Sequence, residues 1–362
     1  AITLIKNPET EQVIGVTVKD NALDKSANET LTKESITLKS SVVINATGAW
    51  ADTLRSEVIN EQRVRPLRGS HVVIQQSKFK LDSAITLLHP DDKRPVFLFP
   101  WEGATVIGTT DLDHHENLAN EAAISKDEVS YLLQAVNYNF PRNTVTIDDI
   151  ISTFSGVRPV ISEDKNLKND RALKKKSADQ KFSKSASKER RDHAIWANNA
   201  LITASGGKLT TFRLTAIAAM NAAKPWLTAK QSKINTNDNV FSNLSLKQLF
   251  EHQLAHNQYN KIWLQRLVGR YGNNAHLILK QDSVKENQLI ANTQFCLAEC
   301  RWAIQNEAVV HLDDLLLRRT RLGLLLKNGA EEIFPLLADI FKQELGWDQL
   351  QWQDELTRYK AI

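Results

Sequence analysis

The chain has 362 residues, 42% of them hydrophobic and 24% charged, a length and balance that predict two or three globular domains. No run of about 18 apolar residues occurs, which excludes a bilayer-spanning helix. Two cysteines, Cys296 and Cys300, are too few for a disulfide framework or a metal site and read as helix-packing thiols in a reducing compartment.

The formal net charge of +4 hides an uneven distribution. Residues 165–191 carry eleven Lys/Arg against Asp170, Asp179 and Glu189, a local charge of +8, and the remainder has 35 basic against 39 acidic residues. One reading is a solvated insertion rich in Lys, Ser and Ala. The other is a polybasic patch for anionic lipid. Nucleic acid is disfavoured, because Phe182 is the only aromatic residue interleaved with the charge.

In chain order, the runs Ile2–Ile5, Val13–Val18 and Ser35–Leu38, separated by turn formers such as Asn7-Pro8, predict an antiparallel meander. The opening Ala-Ile-Thr-Leu-Ile-Lys lacks the regions of a secretion signal. Val42-Val43-Ile44 reads as a strand buried on both faces, running into Asn45-Ala46-Thr47-Gly48-Ala49-Trp50, the grammar of a layered α/β domain. Val72–Ile74, Ala84–Leu88, Val96–Phe99 and Thr105–Gly108 predict one mixed or antiparallel sheet, with a turn at Trp101-Glu102-Gly103. Ser125 and Glu128 form a capping box for a helix that presents Val129, Leu132, Leu133 and Val136, and Pro141 closes it. Asp149–Phe154 is a further strand leading into Ser155–Pro159. Beyond the basic segment come the strand Ala200–Ala204, a glycine pair and an Ala-rich helix ending near Pro225. From Leu244 onward only helical periods remain: Leu244–His256, Ile262–Tyr271, Asn287–Asn306, His311–Leu326 and Ala330–Leu345.

Three places can carry chemistry. Gly206-Gly207 lies between a strand and a helix, where glycine admits a ligand to the backbone and the helix start offers N–H groups. Lys208, Thr210 and Thr211 add donors there, and a plain Thr-capped turn is the competing reading. The spacing is not that of a phosphate-binding Walker loop. Arg158, followed by Pro159, suits a bidentate fork for phosphate or carboxylate, against an ordinary surface arginine. His71, in the turn Arg68-Gly69-Ser70-His71, is a candidate base or a structural hydrogen-bonder.

The order of these segments resembles the FAD-dependent glycerol-3-phosphate dehydrogenase family, within the D-amino-acid-oxidase-like group of flavoproteins. The matching stretches are Val43–Trp50, Leu67–His71, Phe99-Pro100-Trp101, Ile107–Asp111, Phe154–Pro159, Arg191-Asp192-His193, Ser205–Thr211 and Asp313–Arg321. The resemblance implies a fold of class α/β plus α. Its parts are the remainder of an FAD/NAD(P)-binding-type domain (1–62 and 195–228), a mixed or antiparallel β-sheet substrate domain (63–164), a basic insertion (165–194) and an all-α carboxy-terminal domain (240–362). Family members open with a Gly-x-Gly-x-x-Gly turn that holds the FAD pyrophosphate. This sequence has no such cluster, so the expectation is a form without that segment and its substrate-binding arginine, holding FAD poorly.

The resemblance further implies oxidation of sn-glycerol 3-phosphate to dihydroxyacetone phosphate, with FAD as cofactor and a membrane quinone as electron acceptor. Arg158 would grip the phosphate, with Arg191 and Lys208 as further cations; His71 is the candidate base, with Lys208, which could polarise the substrate oxygen, or a residue outside this sequence as the alternatives. Gly156, Gly206, Gly207, Lys208, Leu209, Thr210 and Thr211 would lie along the flavin, and Thr47, Gly48 and Trp50 along the adenosine half. No metal is implied. The expected location is cytoplasmic, at the inner face of the membrane, with an anionic lipid surface and a second copy of the chain as open partners. A dioxygen-using glycerophosphate oxidase and a non-catalytic interaction or folding module are the alternatives.

Overall fold

The computed structural model describes residues 3–19, 35–162, 193–227, 260–279 and 286–362. The expected basic insertion, Arg191 and the helical period Leu244–His256 lie outside the described residues. The chain forms two units, one of Ala1–Ser70, Thr109–Glu128 and Phe154–Gln231, the other of His71–Gly108, Val129–Thr153 and Ser232–Ile362. The expected 63–164 segment is therefore divided between them.

In the first unit the alternating runs form the predicted meander. Strands β1 (Thr3–Lys6), β2 (Val13–Lys19) and β3 (Ser35–Lys39) pair antiparallel in that order. A second sheet joins β4 (Val43–Asn45), β11 (His193–Asn198) and β12 (Leu201–Gly206) in the order β11-β12-β4. β12 runs parallel to β4, matching Leu201 to Val43 and Thr203 to Asn45, and antiparallel to β11.

Side-chain alternation along β12 builds the layers. Leu201 packs with Leu4, Val13 and Leu54, the last from the short helix α1 (Ala51–Arg55). Ile202 and Ala204 pack against Ala219 and Ala223 of helix α3 (Phe212–Ala223). β12 is central and buried along Leu201–Ser205, as an α/β strand should be. β4 corrects the expectation of two-sided burial. It ends the strand order, and Ile44 is 42% exposed.

The strand β5 spans Val64–Gln75 without interruption, so Arg68-Gly69-Ser70-His71 is strand interior and not the expected turn. In the first unit its Leu67 and Arg68 pair with Asp113 and Leu112 of β9 (Leu112–Asp113). The strand β10 (Ile150–Ile161) likewise continues through Arg158 and Pro159, which the sequence placed beyond a strand end. β10 stands at the end of its strand order, and an edge position tolerates a proline that cannot donate to a ladder.

In the second unit the remainder of β5 pairs with β8 (Ala104–Gly108), followed by β7 (Pro95–Trp101) and β6 (Ile85–Leu88), all antiparallel. Val72, Val73, Ile74, Val96, Leu98, Val106 and Ile107 are its fully buried core. Helix α2 (Lys126–Asn139) buries Leu132, Ala135 and Val136. Its capping box is the predicted one. The Glu128 N–H donates to Ser125 Oγ at 3.3 Å, and the Ser125 N–H donates to Glu128 Oε2 at 2.9 Å.

The tail of this unit is helical: α4 (Lys261–Tyr271), α5 (Ala275–Leu279), α6 (Leu297–Asn306), α7 (Leu322–Leu325), α8 (Phe334–Leu345) and α9 (Gln349–Lys360). The expected helix Asn287–Asn306 exists only from Leu297. Leu289 and Cys296 pair as an isolated bridge before it, and Glu299 turns back to accept the Cys296 N–H at 3.0 Å. Three left-handed residues, Asn328, Gly329 and Ala330, likewise delay α8 to Phe334. Cys296 and Cys300 are buried, unlinked thiols, and burial pushes Cys296 up to about 12.

Candidate functional site

Two groups of side chains in the first unit have the geometry of a working site. The first lies where the parallel strands β4 and β12 end, the edge at which α/β sheets bind ligands. After β4, Asn45 donates from Nδ2 to Ala51 O at 2.8 Å and accepts from Thr47 Oγ1 at 2.7 Å, which fixes the turn through Gly48 at φ +63°. Trp50 then stands 48% exposed. After β12, Gly206 and Gly207 take φ of +74° and +81°, values that L side chains rarely adopt.

The Lys208 N–H donates to Thr211 Oγ1 at 3.2 Å and closes the short 3-10 turn Leu209–Thr211 that opens α3. No side chain caps the start of α3 among the described residues, but the preceding turn already takes up the Phe212 N–H through Leu209 O and the Thr211 N–H through Lys208 O, so what this end offers an anion is the positive end of the α3 dipole. Leu209 is 90% exposed, and Ile44, Phe212 and Leu214 are exposed too. At the end of β12 the buried Ser205 Oγ has no hydrogen-bond partner among the described residues. Exposed apolar side chains, an unsatisfied hydroxyl and a positive helix end together fit a group that is both flat and polar, which is the character of FAD.

The second group surrounds Arg158. Its Nη1 donates to Asp111 Oδ1 at 2.8 Å, and its Nη2 donates to Thr109 Oγ1 at 2.7 Å and to Thr110 O at 3.3 Å. Asp111 is buried and Arg158 half-buried. A Cβ on Gly69 would collide with this guanidinium, so the glycine that reads as a turn in the sequence makes room for an arginine. Behind it sits Glu128, fully buried. Its Oε1 accepts from Ser70 Oγ at 2.8 Å and Thr110 Oγ1 at 2.7 Å, and its Oε2 accepts from Arg68 Nη2 at 2.9 Å as well as from Ser125. Burial raises the Glu128 pKa, but the bonds from Thr110, Ser125 and Ser70 and the charge on Arg68 outweigh it and hold the carboxyl below the usual range.

The other expected site residues fall as follows. Thr47, Gly48, Trp50, Gly206, Gly207, Lys208, Leu209, Thr210 and Thr211 all lie at the β4 and β12 ends. Gly156 is within β10, and a Cβ there would meet nothing within 4 Å. His71 belongs to the second unit, where it pairs across the ladder with Gly108; a Cβ on Gly108 would strike its ring.

Asp111, Thr109, Ser70 and Arg68 stand inside the motifs read from the sequence but were given no role there, and Glu128 was read as a cap alone. The signal for Glu128 was present as an acidic residue opening a helix, but its partners lie up to 60 residues away. Sequence reasoning also missed His114. It is buried, with neither ring nitrogen hydrogen-bonded among the described residues, and burial lowers its pKa. Among the described residues no cluster of His, Cys, Asp and Glu is placed to hold a metal.

Residues 8–213 match the FAD dependent oxidoreductase family, more than half of the chain and all of the site described above as far as Arg213. The chain belongs to that family. FAD is the cofactor of this oxidoreductase family, in agreement with the exposed ends of β4 and β12. Residues 235–351 of this FAD-dependent oxidoreductase match the C-terminal domain of alpha-glycerophosphate oxidase.

Among known proteins it is similar to the aerobic glycerol-3-phosphate dehydrogenase of Staphylococcus aureus (strain MRSA252). The two are 36% identical over 206 residues, 56% of this chain and 32% of that one. With the glycerol-3-phosphate dehydrogenase of Mycobacterium leprae (strain TN) it shares 29% identity over 369 residues, 98% of this chain and 57% of that one. The chain thus spans about a third to just over half the length of these relatives. The fold is that of the glycerol-3-phosphate dehydrogenase from Bacillus halodurans complexed with FAD, with a TM-score of 0.69 and 24% identity over 99% of this chain and 66% of that one.

Proposed function

We propose that this oxidoreductase oxidises sn-glycerol 3-phosphate to dihydroxyacetone phosphate and passes the electrons to a membrane quinone. The observation that carries the reading is the Arg158 cradle, a guanidinium fixed by Asp111, Thr109 and Thr110 in the same unit as the flavin-type strand ends. A fixed guanidinium suits a phosphate, whose paired oxygens match its planar fork. The similarity to glycerol-3-phosphate dehydrogenases supports the same substrate.

FAD, when bound, supplies the acceptor for the hydride leaving the secondary carbinol carbon. The chain's own residues have the remaining work. Arg158 binds the phosphate, with Arg191 and Lys208 as additional cations. The start of α3 and the Gly206–Thr211 backbone stabilise negative charge at the cofactor's ring. Thr47, Gly48 and Trp50 line the adenosine half. The role of base, taking the hydroxyl proton, falls to His71 on the resemblance alone. In this reading residues 1–62 and 195–228 hold the cofactor, 63–164 the substrate, and 240–362 form a helical domain.

Among the described residues no helix is long and apolar enough to cross a membrane. In this reading the enzyme reaches quinone by peripheral attachment at the cytoplasmic face, with the +8 segment 165–191 as the source of attraction to anionic lipid. A homodimer is compatible with this arrangement.

The test uses the full-length protein loaded with FAD. Anaerobic sn-glycerol 3-phosphate should bleach the flavin colour, and a quinone-like dye should restore turnover. A flavin that glycerol 3-phosphate leaves oxidised would overturn the proposal. The match of residues 235–351 to a glycerophosphate oxidase domain favours one second reading, in which dioxygen takes the electrons. Oxygen uptake matching the dye-linked rate would support that acceptor instead.

A further inference from the structure

Glu128 has no place in the reaction as proposed, yet it is a heavily engaged carboxylate. It is fully buried, and its two oxygens accept four hydrogen bonds, from Ser70, Thr110, Ser125 and Arg68. A helix cap needs only the bond from the Ser125 N–H, which exposed capping boxes supply without burying a charge. Burying this carboxylate costs free energy that the other three donors must offset. Their arrangement indicates what the burial accomplishes.

Thr110 is the link. Its Oγ1 donates to Glu128 at 2.7 Å and accepts from the Ser70 N–H at 2.9 Å, while its own N–H reaches back to Ser70 O at 3.3 Å. The side chain of Thr110 is thereby held at both lone pair and proton. Its neighbours in sequence, Thr109 and Asp111, provide Oγ1 and Oδ1 to the Arg158 guanidinium, and Thr110 provides its carbonyl. Three consecutive residues thus form the cradle, and the middle one is clamped by Glu128. Ser70 ties the third strand in, since it also accepts from Ser155 Oγ of β10 at 2.8 Å.

We propose that Glu128 is a positioning residue for substrate phosphate. Through the Thr110 hydroxyl it fixes Thr109–Asp111, and that tripeptide sets the direction of the Arg158 guanidinium. The bonds from Thr110, Ser125 and Ser70, with the mostly buried Arg68 beside them, hold Glu128 ionised against its burial and so keep it an acceptor for both hydroxyls. The inference rests on the reading of Arg158 as the phosphate ligand, and it adds the device that aims it.

Thr110→Val removes the hydroxyl link and keeps the volume, Thr110→Ser restores the hydroxyl, and Glu128→Gln tests the acceptor itself. Each is made in the FAD-loaded full-length protein, with melting temperature and flavin content recorded. The KM for sn-glycerol 3-phosphate should rise about tenfold in Thr110→Val, the order expected when one hydrogen bond to a charged group is disturbed, with kcat and flavin content held. Thr110→Ser should return KM to within about twofold of the parent, and Thr110→Val combined with Arg158→Lys should cost less than the two separately.

A second readout needs no turnover: the rate at which phenylglyoxal modifies Arg158, followed by peptide mass. It should increase in Thr110→Val and Glu128→Gln and stay parental in Thr110→Ser. A parental labelling rate in a folded Thr110→Val protein overturns the positioning role, whatever the kinetics. Faster labelling in a protein that never turns over glycerol 3-phosphate supports the positioning role and removes only the substrate assignment.

Discussion

Arg158 is held by three acceptors before any ligand arrives, one of them the buried Asp111, so its removal should be felt by substrate and also, through the carboxylate left unpaired, by stability. Arg158→Ala in the full-length protein should raise the KM for glycerol 3-phosphate by an amount equivalent to about 2–4 kcal/mol, the loss of a charge-assisted bidentate pair, with flavin content intact. A change in flavin content without a change in KM would place this arginine elsewhere. Glu128 makes a separate prediction about pH. Its folded pKa lies below the ordinary value of 4.5, so it adds stability above the unfolded pKa that is lost as pH falls through the folded one. The stability gap between the parent and Glu128→Gln should therefore be constant near neutrality and close as the solution is acidified below about pH 4.5, read from urea unfolding at each pH.

At the level of elements, the turn after β12 is the most exacting. Gly207 sits at φ +81°, and an added Cβ would come within 3.2 Å of the His193 Cβ. Gly207→Ala should cost on the order of 1–2 kcal/mol by the left-handed backbone penalty and displace the opening of α3. Flavin content of the purified full-length protein should then fall; unchanged content would detach this turn from the cofactor. The sequence made this turn legible because strand, glycine pair and helix are contiguous. The meander β1–β3, the capping box of α2 and the core face of α4 were legible for the same reason, since each is a pattern of period 2 or 3.6 within one segment. What local patterns do not encode is a partner far away in sequence. Gly69 reads as a turn because its reason for being glycine, the Arg158 guanidinium, lies some 89 positions on. Glu128 reads as a cap because Arg68 and Ser70 are 60 and 58 residues distant. The late start at Leu297 is by contrast local: Cys296 is the N-cap, and its N–H is taken by Glu299 three residues on, a capping box that the helical periods did not reveal.

On the scale of the whole molecule, charge and membrane access are one question. The +8 of residues 165–191 is set against a remainder of 35 basic and 39 acidic residues, so the chain's entire positive excess is concentrated in one segment. Dispersed charge of that size would do no more than keep a protein soluble, whereas concentrated charge creates a local field that an anionic bilayer can answer. Each Lys or Arg close to such a surface contributes about 1 kcal/mol at low salt, enough in sum for peripheral attachment without a spanning helix. Deleting residues 168–188 should therefore reduce sedimentation with vesicles containing phosphatidylserine while dye-linked turnover in solution stays near parental. Attachment of the parent should weaken steeply as salt rises, because the attraction is screened over roughly 10 Å at 0.1 M. Vesicles of neutral lipid provide the control, since binding that ignores headgroup charge is not electrostatic. If the deletion variant sediments with anionic vesicles as well as the parent does, the segment is a solvated insertion, and any membrane contact must be sought in the helical tail or elsewhere in the full-length protein.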